Sequence, residues 1–466
     1  MERRAAGDRR DGLLRLLTPL FRWDAIEAVF SDRARLQAML DFEKALARAE
    51  ARAGVIPQAA AVAIAARCRA DRFDTDALAS AAAFAGNLAI PLVRQLTVLL
   101  EQEDPPAARY VHWGATSQDA IDTGLVLQLR EALDRIGAEL DRLADALARL
   151  AREHRSTPIA GRTWLQHAAP TTFGLKAAGW LDAVLRDRAR IAGMRGRALV
   201  LQLGGPVGTL AALGDKGLEV AAGVALELKL PLPELPWHAQ RDRVVEVVTT
   251  LGLCTGTLGK IARDVSLHSQ TEVAELFEPE AEGRGGSSSL PHKRNPVASA
   301  AALAAATRVP GLVASALAAM VQEDERGLGG WQAEWEIVPE VVGLVGGALH
   351  HLTDALAGLR VDAARMSRNL EASRGLVFSE AVETALAGRV GRASARRLVS
   401  AACRRAQAEG RHLKELLASE PEIVRHLPAA ELEPLFDPHS AVGAAERMVD
   451  AVLRLHERER AKPATS

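Results

Sequence analysis

Residues Asp122 to Leu150 read DTGLVLQLREALDRIGAELDRLADALARL. Leu129, Leu133, Ile136, Leu140, Leu143, Leu147 and Leu150 recur at spacings of four and three, a heptad-like seam held for three repeats. The spacing predicts one helix of roughly 40 Å at about 1.5 Å per residue. An apolar stripe that long is covered only by neighbours of comparable length. Similar helical patterns follow Pro170, Arg243 and Pro296. The expected architecture is therefore an all-α bundle of long helices, with smaller helical regions before and after it. Bundle helices of this length commonly bury a second face between subunits, so an oligomer is expected.

The rest of the chain fits that frame. Of its 466 residues, 48% are hydrophobic and only 4% aromatic, a bias toward helix over sheet. A helix is expected from Ala25 to about Ala53, ended by Gly54 with Pro57 beyond. Residues 1 to about 15 read as disordered. We find no internal repeat, no low-complexity linker and no alternating strand-like run of useful length. The most apolar stretch, Ala298 to Val321, is broken by Arg308 and Pro310 and reads as a buried small-residue helix, not a membrane span. A formal net charge of −1 offers no basic surface for a phosphate backbone, and the arginines between Arg404 and Arg411 read as a solvated helix face. No nucleic-acid or membrane partner is expected. Cys68, Cys254 and Cys403 lie far apart, which argues against a disulfide framework or a zinc site. The start, MERRAAGDRRDG, carries no apolar run after its charges, so a cytoplasmic location is expected.

Three polar segments interrupt the amphipathic pattern, each just before a long helix. The first is His112-Trp113-Gly114-Ala115-Thr116-Ser117-Gln118-Asp119. Thr116 and Asp119 have capping-box spacing, and a helix start attracts carboxylates through its unpaired N–H groups. A plain cap with no ligand is the alternative. The second is Gly161-Arg162-Thr163-Trp164-Leu165-Gln166-His167-Ala168-Ala169-Pro170. Here Arg162, Gln166 and His167 cluster on extended chain, and Pro170 suits the first turn of the next helix. A satisfied core histidine is the alternative for His167. The third runs from Gly283 to Pro296, GRGGSSSLPHKRNP. Asn295 is a good N-cap with Pro296 behind it, and Lys293 adds a full charge near that helix start. The glycines and serines ahead of it read as a flap; a plain linker would not need Pro-His-Lys-Arg-Asn-Pro attached. Gly204 to Gly208 match neither phosphate-loop pattern and read as an interhelix loop, and adjacent His350 and His351 make poor metal ligands.

The third segment resembles the signature flap of the fumarase/aspartase superfamily, G-S-S-x-M-P-x-K-x-N-P, with Leu290 in place of methionine. The first resembles that family's H-x-G-x-T-S-x-D motif and the second its R-T-x-x-x-x-x-x-P stretch, all in family order. The resemblance implies an all-α subunit of three domains, placed here at 1–111, 112–365 and 366–466. It also implies a homotetramer with each active site built from three subunits, and no cofactor or metal. Ser287, with Ser288 beside it, matches the serine that exchanges the carbon-bound proton. Lys293, Asn295, Thr116 and Ser117 match residues that hold a substrate carboxylate. His167 is a catalytic candidate, and His112, Arg162, Thr163, Trp164, Gln166, Arg326 and Trp331 are substrate-binding candidates.

Two departures select a branch. Lyase relatives carry a general-acid histidine where this chain has Trp164, and its orienting glutamate where this chain has Ala300. Expelling hydroxide or an amine needs a proton on departure, whereas opening a lactone expels a carboxylate that leaves unprotonated. Adenylosuccinate lyases also follow an E-R pair with a serine and an arginine that grip phosphate. Here Glu325-Arg326 is followed by Trp331 and Trp335 at those positions. These runs, together with Trp237 to Arg243, resemble the bacterial cycloisomerases acting on 3-carboxy-cis,cis-muconate. The implied activity is interconversion of that tricarboxylate and 4-carboxymuconolactone in protocatechuate breakdown. A lyase of a substituted succinate, such as adenylosuccinate or argininosuccinate, and an inactive structural homologue are the rivals.

Overall fold

A computed structural model describes residues 16–461; the segment read above as disordered lies outside the described residues. The seam forms one helix, Ser117–Glu153, of 37 residues. Its seven seam residues are each at most 1% exposed, so the sequence period and the buried stripe coincide. Phe173–Ala198, Asp242–His268 and Val297–Ala319 are the long helices expected after Pro170, Arg243 and Pro296. A further long helix, Gly330–Ala357, was not singled out. Pro339 lies within it, and every residue from 341 to 349 is buried, so it lacks the one-sided period that marks an amphipathic helix.

Several local expectations change. The helix expected from Ala25 to Ala53 is two helices, Asp24–Val29 and Asp32–Arg52. Ser31 restarts the chain between them, its hydroxyl accepting the Ala34 N–H at 3.2 Å. The all-α fold also carries an unforeseen antiparallel hairpin, Pro158–Thr163 with Gln166–Thr172. A bulge between Ala160 and Arg162 breaks the alternation that would have revealed it. Pro170 lies in the second strand, opposite Ala160, and not at a helix start.

The contacts divide the chain into two compact units. The first comprises Met1–Glu139, Asp187–Leu258 and Ala301–His350; the second comprises Leu140–Arg186, Gly259–Ala300 and His351–Ser466. The first is organised around Arg241, which is fully buried and bonds both Asp122 and Glu334. The second contains the hairpin, the flap and a C-terminal helical core around Val382, Leu386, Val399 and Leu416.

Asp242–His268 and Val297–Ala319 are long and apolar enough to cross a membrane by length and composition alone. The latter was expected to be buried, yet only 33% of its most apolar window is covered within this chain, against 56% for the former. Its exposed residues are mostly small or apolar, Leu317 among them, and are interrupted by Thr307, Arg308 and Ser315.

Glu50, on Asp32–Arg52, is buried, and among the described residues neither carboxylate oxygen has a hydrogen-bond partner. Burial, with a contribution from the Glu43 charge, pushes its carboxyl up to about 9. The folded state therefore keeps a proton that the unfolded chain releases. Its stabilisation is complete below about pH 4.5 and is lost as pH rises toward 9. Glu50→Gln removes this dependence. Unfolding free energies from urea titrations at pH 5 and pH 9 should differ by about 5 kcal/mol less in the variant than in the parent; an unchanged pH dependence would assign Glu50 an ordinary acidity.

Candidate active-site groups

In the first unit, the predicted motif folds onto the start of Ser117–Glu153. The turn before it holds His112 at φ +57° and Gly114 at φ +71°. A Cβ at Gly114 would lie 2.7 Å from the Leu213 side chain, so glycine is required there by space as well as by conformation. Asp119 performs half of the capping box: its carboxylate accepts the Thr116 N–H at 3.0 Å. The same buried carboxylate accepts the Gly204 and Gly205 N–H groups, Gln202 and His238. Gly204 and Gly205 thus belong to a loop that clamps the motif. The Thr116 hydroxyl accepts from Arg326 at 3.1 Å, and Arg326 also donates to the Pro206 carbonyl at 2.8 Å.

His112 pairs through Nδ1 with buried Glu43 at 2.6 Å. Burial lowers its pKa, but the Glu43 charge and hydrogen bond outweigh that, so the imidazole is held above its ordinary value. The turn and helix start thus carry two polar groupings, His112 paired with Glu43 and Thr116 bonded to Arg326. Trp331 joins neither. It is 4% exposed, and its indole N–H donates to Asp122 at 3.0 Å. Asp122 needs that donor because it is buried in an ion-pair network, and this need draws the ring into the core.

In the second unit, Trp164 and Leu165 form the two-residue hairpin tip, with φ of +53° and +63° and Thr163 opposite Gln166. Positive φ at both central residues is what a tight hairpin with the sheet's twist requires, and Asn or Gly normally supplies it. Bulky residues there are strained, which marks functional segments more often than packed ones. Trp164 is 97% exposed within this chain. Behind the tip, Arg162 donates to Glu275 at 2.8 Å. Glu275 also accepts from Asn369 at 2.7 Å and pairs with His268 Nδ1 at 2.6 Å. Burial alone would raise the Glu275 pKa; bonds from His268, Arg162 and Asn369 outweigh it and hold it at about 2. Burial lowers His268 and, together with the Arg162 charge, lowers His167. His167 is exposed beside this cluster.

The flap is a closed loop. Asn295 donates its backbone N–H to the Gly285 carbonyl at 2.8 Å and its side-chain amide to the Gly286 carbonyl at 3.3 Å. Gly285 has φ +63°, and a Cβ there would lie 2.5 Å from the Asn295 carbonyl. Asn295 therefore closes the flap and does not cap the helix. The cap is Glu278, whose carboxylate accepts the Ala298 N–H at 3.0 Å, the Ser299 N–H at 2.8 Å and the Ser299 hydroxyl at 2.8 Å. With a carboxylate already there, the start of Val297–Ala319 has little pull left for a substrate anion. Ser287 Oγ accepts the Leu290 N–H at 3.1 Å and the Ser289 N–H at 3.4 Å. Two N–H groups aimed at one hydroxyl oxygen favour its release of a proton. Among the described residues Ser288 meets only the Ser289 hydroxyl, at 3.5 Å. Lys293 is exposed.

Sequence reasoning missed Glu43, Glu275, His268, Asn369 and Glu278. Each is a single polar residue outside any recognised motif, and all but His268, which pairs with Glu275 seven residues on, have partners distant in sequence, so no local spacing announces them.

The chain matches the family model described as "Lyase" over residues 21–311 and the "Adenylosuccinate lyase C-terminus" model over residues 375–452. It is 56% identical to a 3-carboxy-cis,cis-muconate cycloisomerase of Pseudomonas aeruginosa, over 92% of this chain and 94% of that one. A crystal structure of 3-carboxy-cis,cis-muconate lactonizing enzyme from Pseudomonas putida superposes with a TM-score of 0.91 at 53% identity, covering 96% of this chain and all of that one. A nitrosuccinate lyase of Streptomyces davaonensis is 45% identical over 93% of each chain.

Proposed function

The chain belongs to the lyase family, with the all-α fumarase/aspartase fold, and from that premise we propose that it is a cycloisomerase interconverting 3-carboxy-cis,cis-muconate and 4-carboxymuconolactone in protocatechuate breakdown. The observation that carries this reading is the pair Trp164 and Ala300, standing where lyase relatives place a general acid and its orienting glutamate. In lactonisation one substrate carboxylate oxygen adds to an alkene carbon. The electron pair of that double bond moves onto the neighbouring carbon as an enolate-like anion, and Ser287 transfers its hydroxyl proton there, leaving an alkoxide that the Ser289 and Leu290 N–H groups stabilise until solvent returns a proton. In the reverse direction Ser287, first deprotonated to its alkoxide, takes the proton and the carboxylate departs without one, so no acid is needed at Trp164. Lys293 neutralises the developing negative charge. Asn295 acts by holding the flap closed, and His112, Thr116, Ser117 and Arg326 receive substrate carboxylates. No cofactor enters the reaction as written, and a cytoplasmic site of action fits this chemistry.

The assembly is a homotetramer in this reading, with each site drawing the Thr116 motif, the Trp164 hairpin and the Ser287 flap from different subunits. A Trp almost wholly exposed at a strained tip and a long apolar helix only 33% buried over its most apolar window support it.

Loss of the conjugated-diene absorbance of 3-carboxy-cis,cis-muconate tests the activity. The purified chain should bleach it, with adenylosuccinate cleavage at least about 1000-fold slower for want of a phosphate grip. A succinate whose substituent leaves as a stable anion would also need no acid at Trp164, so nitrosuccinate belongs in the same assay. Faster turnover of either succinate than of the muconate would overturn the cycloisomerase reading.

A further inference from the structure

The hairpin cluster has an imbalance of charge that its hydrogen bonds leave open. The Trp180 indole N–H donates to Asp264 at 2.9 Å, fixing the register between Phe173–Ala198 and Asp242–His268. One turn back along the first helix is Lys176; one turn on along the second is His268, which Glu275 holds. Lys176 thus lies close enough to Asp264, Lys260, Arg162 and Glu275 to feel all four charges. Both carboxylates are already engaged. Asp264 serves Trp180 and also Lys260, at 2.5 Å, while Glu275 serves Arg162, His268 and Asn369. Three cations therefore share two carboxylates. His268 and His167, the other titratable groups at the cluster, are held toward their neutral forms and cannot make up the difference. Among the described residues Lys176 has no hydrogen bond or ion pair, and it is only partly exposed.

We propose that Lys176 is a carboxylate anchor, completing with Arg162 a subsite for one carboxylate of a di- or tricarboxylic acid. This rests on the activity proposed above and adds a residue to its substrate site. A half-buried cation left without a partner is costly, and an arriving carboxylate relieves that cost with a charge-assisted bond. Burial lowers the Lys176 pKa, with the Lys260 and Arg162 charges adding to the effect and the Asp264 charge opposing it. Anion binding at Lys176 therefore weakens at a lower pH than for a solvent-exposed lysine.

The test uses tricarballylate, an unreactive tricarboxylate, measured by calorimetry against the parent, Lys176→Met and Lys176→Arg, with kcat and KM for the muconate in parallel. Lys176→Met should bind tricarballylate about tenfold more weakly and raise KM similarly, with kcat within about twofold. Lys176→Arg should keep the affinity and lose the alkaline fall in binding. If Lys176→Met, folded by circular dichroism, binds as the parent does, or the parent does not bind tricarballylate, the subsite is refuted. If the parent fails to turn over the muconate while Lys176→Met still loses affinity, the subsite stands and the proposed activity falls.

Discussion

Ser287→Ala is expected to lower kcat for 3-carboxy-cis,cis-muconate by about 10²- to 10⁴-fold, the usual worth of a positioned proton-transfer group, with KM little changed. The structure singles out Ser287 over its neighbours because its oxygen alone accepts two backbone N–H groups, from Ser289 and Leu290. Its hydroxyl matters in the transition state, where the proton moves, more than in the ground state. Lys293→Ala should differ by raising KM as well, since its charge meets a carboxylate in both states. Subunit mixing extends the test. Ser287→Ala chains combined with inactive His112→Ala chains should regain activity after exchange, because some sites then receive one intact motif from each. Near-normal kcat in Ser287→Ala would remove the serine from the mechanism, and exchange without recovery would remove the shared site.

How far the sequence could be read follows from the range of the interactions involved. Leu129 through Leu150 were legible because a helix repeats its buried face every three or four residues. The flap was legible as a motif, but the job of Asn295 was not. Its local context, followed by Pro296, suits an N-cap. Glu278, some twenty positions upstream, reaches the Ala298 and Ser299 N–H groups first. Trp331 shows the same limit. Its alignment with a phosphate-gripping position of adenylosuccinate lyases suggested a lining residue, whereas the fold places Asp122, 209 positions away, as an acceptor for its indole. The hairpin was read as extended chain around Arg162 and His167, yet its pairing stayed hidden because a bulge and a Trp-Leu tip replace alternation and a turn signal. Short-range periodicity was thus visible, while polar partners chosen by tertiary structure were not.

The strongest such partnership leads to the largest stability effect expected of a single substitution. Arg241 is fully buried. It donates to Asp122 at 2.7 and 3.2 Å, and to Glu334 at 3.0 Å from Nε and 2.5 Å from Nη2. The Trp237 ring lies 4.9 Å from its guanidinium carbon. Asp122 further accepts from Gln118 and Trp331, both at 3.0 Å. Arg241→Met would leave two buried carboxylates facing each other without their cation, at a cost of about 3–5 kcal/mol. Burial already raises the Glu334 pKa against the pull of Arg241. Without that pull the folded-state pKa rises further, so the stability deficit should be small in acid and grow as pH rises. Urea unfolding at pH 5 and pH 8 reads both the size and the trend, with Arg241→Lys as a milder variant should the first fail to fold. Adding Asp122→Leu and Glu334→Met to Arg241→Met should recover most of the loss, because a dry apolar cluster replaces the stranded charges. A pH-independent deficit, or no recovery in the triple variant, would mean that shape and not charge makes Arg241 necessary.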